Sequence, residues 1–175
     1  CRTGDMGFSR DLTADEIVLQ VRAACVTLGR AVDNVVFMGM GEPLDNLDNV
    51  MPAVSVISHQ RGLNIARSHI TISTAGHVDG IRKLAALKPG TLRLAVSLNT
   101  ANDELRSRLM PINRKYPLAK LRDAILAFPL GKRGIIFTEY VLMAGINDSK
   151  KDAEELAAFL TGIRARVNVL TCNPG

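Results

Sequence analysis

NVVFMGMGEPLDN, the stretch from Asn34 to Asn46, decides how the rest of the chain is read. Val35, Val36, Phe37 and Met38 make an apolar run too short for a helix and suited to a buried strand. The run ends at Gly39, Met40, Gly41, Glu42 and Pro43. Two glycines let backbone approach a ligand closely, and a proline cannot continue the ladder. A carboxylate placed where a buried strand ends needs a partner, because an unpaired buried charge is costly. The same residues also fit a plain strand-to-helix turn with a solvated Glu42. What separates the two readings is where the other strands of the chain end.

Working outward, Thr13 to Glu16 spells a capping box that opens a helix running to about Leu28. Ile17, Val21, Ala24, Cys25 and Leu28 share one face of it, with Cys25 as a core filler, and Gly29 ends it. Downstream, Val50, Val54 and Ile57 mark a helix from about Leu47 to Gln60. A strand is expected from His69 to Ser73, followed by a helix to about Leu87 and a strand from Leu92 to Leu98. Asn102 and Asp103 cap a short helix that Pro111 stops, and Pro117 opens another running to Phe128. The series closes with a strand from Ile135 to Leu142, a helix from Lys150 to Leu160 and a strand from Arg166 to Thr171. Strands alternating with helices imply βαβ units, right-handed crossovers and a parallel sheet in an α/β fold. The alternation fits an open doubly wound sheet and a (β/α) barrel equally well. Both place a site at the carboxyl ends of the strands.

Composition narrows the function classes. The 175 residues are 47% hydrophobic and 22% charged, the make-up of one globular domain. No apolar run approaches the roughly 20 residues of a membrane span, and no signal peptide is visible. Aromatic content of 4% without Trp leaves little material for stacking single-stranded bases. Three widely spaced cysteines make no disulfide framework, so a cytoplasmic setting is expected. The net charge of +5 suits a polyanionic partner such as nucleic acid, and suits an ordinary basic protein as well. Its basic pairs, Arg114 with Lys115, Lys132 with Arg133 and Lys150 with Lys151, fall in separate loops or helix starts. With Cys1 first and Gly175 just past an apolar run, the chain is expected to be a core piece of a longer protein, cut at both ends.

The expected strand ends carry Gly41 and Glu42, Ser73 and Thr74, Ser97, Leu98 and Asn99, and Asn173, with Glu139 inside its strand. Nearly all are small or polar and follow apolar runs. Neither a Walker sequence nor GxGxxG is present, so the usual phosphate and dinucleotide fingerprints are missing. Hydroxyls, amides and a carboxylate converging at strand ends suit a small zwitterionic ligand.

In this order, several pieces resemble the RlmN/Cfr family of radical S-adenosylmethionine (SAM) enzymes. They are CRTGDMGFSR from Cys1, GMGEPLDN, ISTAG from Ile72, SLNTANDELRSRLMPINRKYPL from Ser97, TEYV from Thr138, GINDS from Gly145, and Asn173 with Pro174. The resemblance implies a partial (β/α) barrel of the radical SAM type. It makes Cys1 the last cysteine of a CxxxCxxC motif that holds a 4Fe-4S cluster. It aligns Gly41 and Glu42 with the motif that receives the SAM amino group, and Ser73, Ser97, Leu98, Asn99 and Asn173 with other SAM contacts. It further implies methylation of carbon 2 of adenine in 23S rRNA, with tRNA as a second substrate, through a methyl-cysteine intermediate. A monomer served by an electron-donor protein, with no membrane association, completes the implied picture.

The departures are specific. Asn99 stands where the family usually has His, and Thr171 begins a stretch the family usually writes as Pro-x-Asn-Pro. Cys172 does not match the methyl-carrying cysteine and reads as a packing residue. Two cluster cysteines, a catalytic glutamate and the methyl-carrying cysteine find no match in the chain, so it is expected to be inactive by itself and to bind SAM weakly. Two other readings stay open: a carbon-8 methyltransferase of the resistance type, and a non-catalytic RNA-binding βα module.

Overall fold

The computed structural model describes residues 7–172, so Cys1 and Asn173, both named above as site residues, lie outside the described residues. Each strand falls within one residue of its expected bounds: β1 Val35–Phe37, β2 Ile70–Thr74, β3 Arg93–Ser97, β4 Ile136–Leu142 and β5 Ala165–Thr171. The helices are α1 Ala14–Leu28, α2 Leu47–Ser58, α3 Val78–Ala86, α4 Asp103–Leu109, α5 Leu118–Leu126 and α6 Lys150–Leu160. Local signals account for their ends. Thr13 and Glu16 form the expected reciprocal capping box, and Gly29 closes α1. Asn102 accepts from the Leu105 N–H to start α4, and Pro117 sits at the start of α5.

All strand pairs are parallel, in the spatial order β1-β2-β3-β4-β5. That order resolves the choice left by the sequence. A doubly wound sheet reverses direction at a switch point, whereas here every crossover steps the same way. Right-handed crossovers taken always in one direction put all the helices on one face, the arrangement of a partial (β/α) barrel.

The two faces of the sheet differ accordingly. Ile70, Ile72, Leu94, Val96 and Ile136 point to the helices and are fully buried. They meet Val54 and Ile57 of α2, Ile81 and Leu84 of α3, and Leu121 and Ile125 of α5 in one apolar cluster. On the other face, in-register rows run Val36, Thr71 and Arg93, then Ser73, Ala95, Phe137 and Arg166, then Ser97, Glu139 and Asn168. Arg93 and Arg166 lie over the Phe137 ring, 5.7 and 5.9 Å from its centre. This polar face leads up to the strand ends.

One packing expectation is corrected. Ile17 is buried and Val18 and Val21 pack against the core, but Ala24 and Leu28 are exposed and Cys25 is only half-buried. The cause is that α1 packs on α2 rather than on the sheet. A helix in the outer layer covers a narrower stripe than its apolar pattern allows.

Candidate functional site

The site grows from the loop after β1. At Gly41 the backbone turns with φ of 114°, a conformation that side chains rarely adopt, and delivers Glu42 toward the end of β2. One carboxylate oxygen of Glu42 accepts from the Thr74 hydroxyl at 3.0 Å and the Ala75 N–H at 2.9 Å. The other accepts from the Leu44 N–H at 3.2 Å. Thr74 in turn accepts from the N–H groups of Gly76 and His77, folding the chain away from the strand. His77 then caps α3 through Nδ1, which accepts from the Gly80 N–H, and Nε2 lies 3.1 Å from Asp45.

Burial raises the Glu42 pKa above the ordinary carboxylate range, and the three donors offset only part of that. Among the described residues Glu42 has no cationic partner. The reading of Glu42 as a freely solvated turn residue therefore does not describe it: the carboxylate is held in place, half-buried and without a counter-charge among the described residues.

A second group ties the ends of β2 and β3 together. Arg106, on α4, is fully buried. Its guanidinium donates to the carbonyls of Ala75 (2.8 Å), Ser97 (3.0 Å) and Leu98 (3.1 Å), and to Asn113 Oδ1 at 2.8 Å. Asn113 donates onward to Asp103 and Ser107, and the Asp103 carboxylate also accepts from the Leu118 N–H. Burial pulls the Arg106 pKa down to about 10, partly opposed by Asp103, so the group stays protonated at neutral pH. At Gly76, where φ is 106°, an added Cβ would come within 2.9 Å of the Arg106 guanidinium. The glycine makes room for the arginine.

The end of β3 is fixed from its other side by β4 and the loop after it. Asn99 adopts a left-handed φ of 60°. Its Oδ1 accepts from the Val141 N–H at 3.0 Å, and its carbonyl accepts from Asn147 Nδ2 at 2.6 Å. Asn147 is itself buried, with Oδ1 accepting from the Met143 N–H and its carbonyl from the Tyr140 hydroxyl. Within the sheet, Glu139 accepts from Asn168 at 2.9 Å.

The described candidate residues thus fall into two kinds. Gly41, Glu42, Ser73, Ser97, Leu98 and Asn99 all lie at the carboxyl ends of β1, β2 and β3. The Ser73 and Ser97 hydroxyls have no hydrogen-bond partner among the described residues. Leu98 is different: its side chain is buried in the core and its carbonyl is taken by Arg106. Asn99 uses its side chain to hold β4 and contacts Met110 Sδ at 3.4 Å. Arg106, Asn113 and Asn147 were not singled out by the sequence reading. The one signal for the first two was their place in the SLNTANDELRSRLMPINRKYPL piece.

No group of three or more metal-ligating side chains occurs among the described residues. Cys25 lies within α1 and Cys172 is exposed just past β5.

A family profile described as the Radical SAM superfamily matches residues 1–160. The chain is 49% identical over 173 residues to the dual-specificity RNA methyltransferase RlmN of Geobacter sulfurreducens, covering 99% of this chain and 47% of that protein. It is 48% identical over 176 residues to the protein of the same name from Syntrophobacter fumaroxidans, covering 99% of this chain and 51% of that one. The chain therefore spans about half the length of the curated relatives it matches. A crystal structure of a radical SAM methyltransferase from Sphaerobacter thermophilus superposes with a TM-score of 0.88 at 44% identity, over 99% of this chain and 52% of that one.

Proposed function

The chain belongs to the radical SAM superfamily, and on that premise we propose that it is the SAM-binding core of an RNA methyltransferase acting on adenine. The finer reading is methylation of carbon 2 in 23S rRNA and in tRNA through a methyl-cysteine intermediate, in the cytoplasm, with an electron-donor protein. The names of the relatives support RNA as the substrate class.

The observation that carries the reading is Glu42. Its carboxylate is desolvated, oriented by three neutral donors and without a cation among the described residues. An ammonium is the group that completes such a site, since charge-assisted hydrogen bonds are the strong ones. SAM carries one, beside a carboxylate that hydroxyl donors such as Ser73 and Ser97 would suit. Gly41 lets the backbone come close, and Asn99 and Leu98 hold the β3 end in shape. Asn173 is proposed as a further contact.

The described residues do not themselves fit an iron–sulfur cluster. Cys1 is proposed as one ligand. SAM held at such a cluster would supply radical chemistry, which suits a ring carbon too weakly nucleophilic for ordinary methyl transfer. Arg114 and Lys115, both exposed, are proposed as phosphate contacts.

Two measurements test the reading. Nucleoside mass spectrometry of ribosomal RNA from cells lacking the parent gene should show loss of 2-methyladenosine, restored by the intact gene and not by Glu42→Gln. Loss of an 8-methyl signal instead would move the assignment to carbon 8, and no change would remove the enzymatic claim. In the purified parent protein, SAM affinity should rise as pH rises through the raised Glu42 pKa, because only the ionised carboxylate attracts the ammonium. Glu42→Gln should remove that slope and weaken binding about tenfold or more.

A further inference from the structure

The reading above leaves the buried Arg106 without a part in it. Four donors of one guanidinium reach acceptors on three separate pieces of chain: Ala75 beyond β2, Ser97 and Leu98 at the end of β3, and Asn113 after α4. Two of these pieces belong to the proposed site. The Ala75 peptide unit is shared, since its N–H donates to Glu42 at 2.9 Å while its carbonyl accepts from Arg106 at 2.8 Å. Glu42 is therefore separated from Arg106 by a single residue, and Ser97 is held by it directly.

We infer that Arg106 is a positioning residue for the amino-acid end of SAM: it locks the strand ends that present Glu42 and Ser97 without touching the ligand. This inference rests on the SAM reading given above. Three features support it. Arg106 is fully buried, so its side chain is not displayed for direct contact. A guanidinium is a planar fork that bridges several acceptors at once, which a lysine ammonium on a flexible stem does not reproduce. The neighbouring chain is shaped around it, with Gly76 leaving no room for a Cβ and Asn113 anchored in turn by Asp103 and Ser107.

The test uses the full-length parent protein with its cluster reconstituted without oxygen. Equilibrium dialysis measures two ligands, SAM and 5′-methylthioadenosine, which lacks the amino-acid end. In Arg106→Lys, SAM affinity should fall about tenfold while methylthioadenosine affinity changes by about twofold or less. Unchanged SAM affinity overturns the inference. Equal losses for both ligands overturn it too, because general loosening does not distinguish the two ends. If Arg106→Lys yields no folded protein, Asn113→Ala decides: it keeps the three carbonyl bonds and removes the fourth acceptor. About a threefold loss confined to SAM supports the inference, and no loss overturns it. Failure of the unaltered protein to bind SAM would defeat the SAM reading itself, an outcome visible before any variant is compared.

Discussion

In β2 and β3, Ile70, Ile72, Leu94 and Val96 are fully buried and the strand ends are buttressed by Arg106 and Asn147. In α6 and β5 no residue is buried, and Val169 is 58% exposed. Yet β5 pairs with β4 through a seven-residue register, from Ile136 with Ala165 to Leu142 with Thr171. Arg122 also donates to the carbonyls of Phe159 and Thr161, fastening the end of α6 to α5. The first region is held by full apolar burial, the second by the backbone ladder, polar contacts and partly buried side chains such as Leu156 and Phe159. Ser73, Ser97 and the Thr74 and Ala75 donors that hold Glu42 lie on the first, where a geometry once set is hardest to disturb.

The widest contrast should come from matched truncations. Leu94→Ala removes a fully buried side chain and should cost about 2–5 kcal/mol in urea unfolding. Val169→Ala should stay within about 0.5 kcal/mol. Similar costs would mean that β5 is as deeply packed as β3 and would dissolve the distinction.

A smaller effect should appear at the join between fold and site. Gly76→Ala forces a Cβ toward Arg106 at a φ of 106° and should cost about 1–3 kcal/mol. It should also loosen the Glu42 contact with Ala75, seen as faster amide exchange at Ala75 with the amides of the β3 interior unchanged. A silent Gly76→Ala would show that Arg106 is less tightly seated than its four bonds suggest.

The smallest effect belongs to the second region. Ser149 and Asp152 form a reciprocal capping box at the start of α6. Ser149→Ala should lower stability by about 1 kcal/mol, with SAM affinity unaltered. A drop in SAM affinity would connect α6 to the site and blur the comparison from the other side.

The pH behaviour of Glu42 separates fold from site in one residue. Its folded pKa is raised, so the folded state holds the proton more tightly than the unfolded chain. Its contribution to stability therefore declines as pH rises from the ordinary carboxylate range through the raised pKa. The charge that SAM binding would use is a small burden on the free fold.

Much of this molecule was legible before folding. The apolar runs, the glycines and prolines between them and the Thr13 box give the five strands and six α-helices of the described residues, because those signals act over a few residues. They do not give the 3-10 turns Arg67–His69 and Pro111–Arg114. Glu42, Ser73, Ser97 and Asn99 were legible as strand-end residues for the same reason. The Ser149 box was overlooked, although its signal is equally local. Arg106 was hidden for a deeper reason. On α4 it sits in the run DELRSRL and looks like any solvent-facing basic residue, since helical periodicity scores it simply as polar.

Sequence by itself determined the α/β alternation, the strand bounds and the residues at the strand ends, all of which follow from short-range periodicity and turn chemistry. Only the tertiary structure decided the sequential strand order that puts the helices on one face. Only it brought the carbonyls of Ala75, Ser97 and Leu98 around one guanidinium. A buried charge is stable where enough acceptors converge on it, and convergence of groups from distant parts of a chain is a property of the fold.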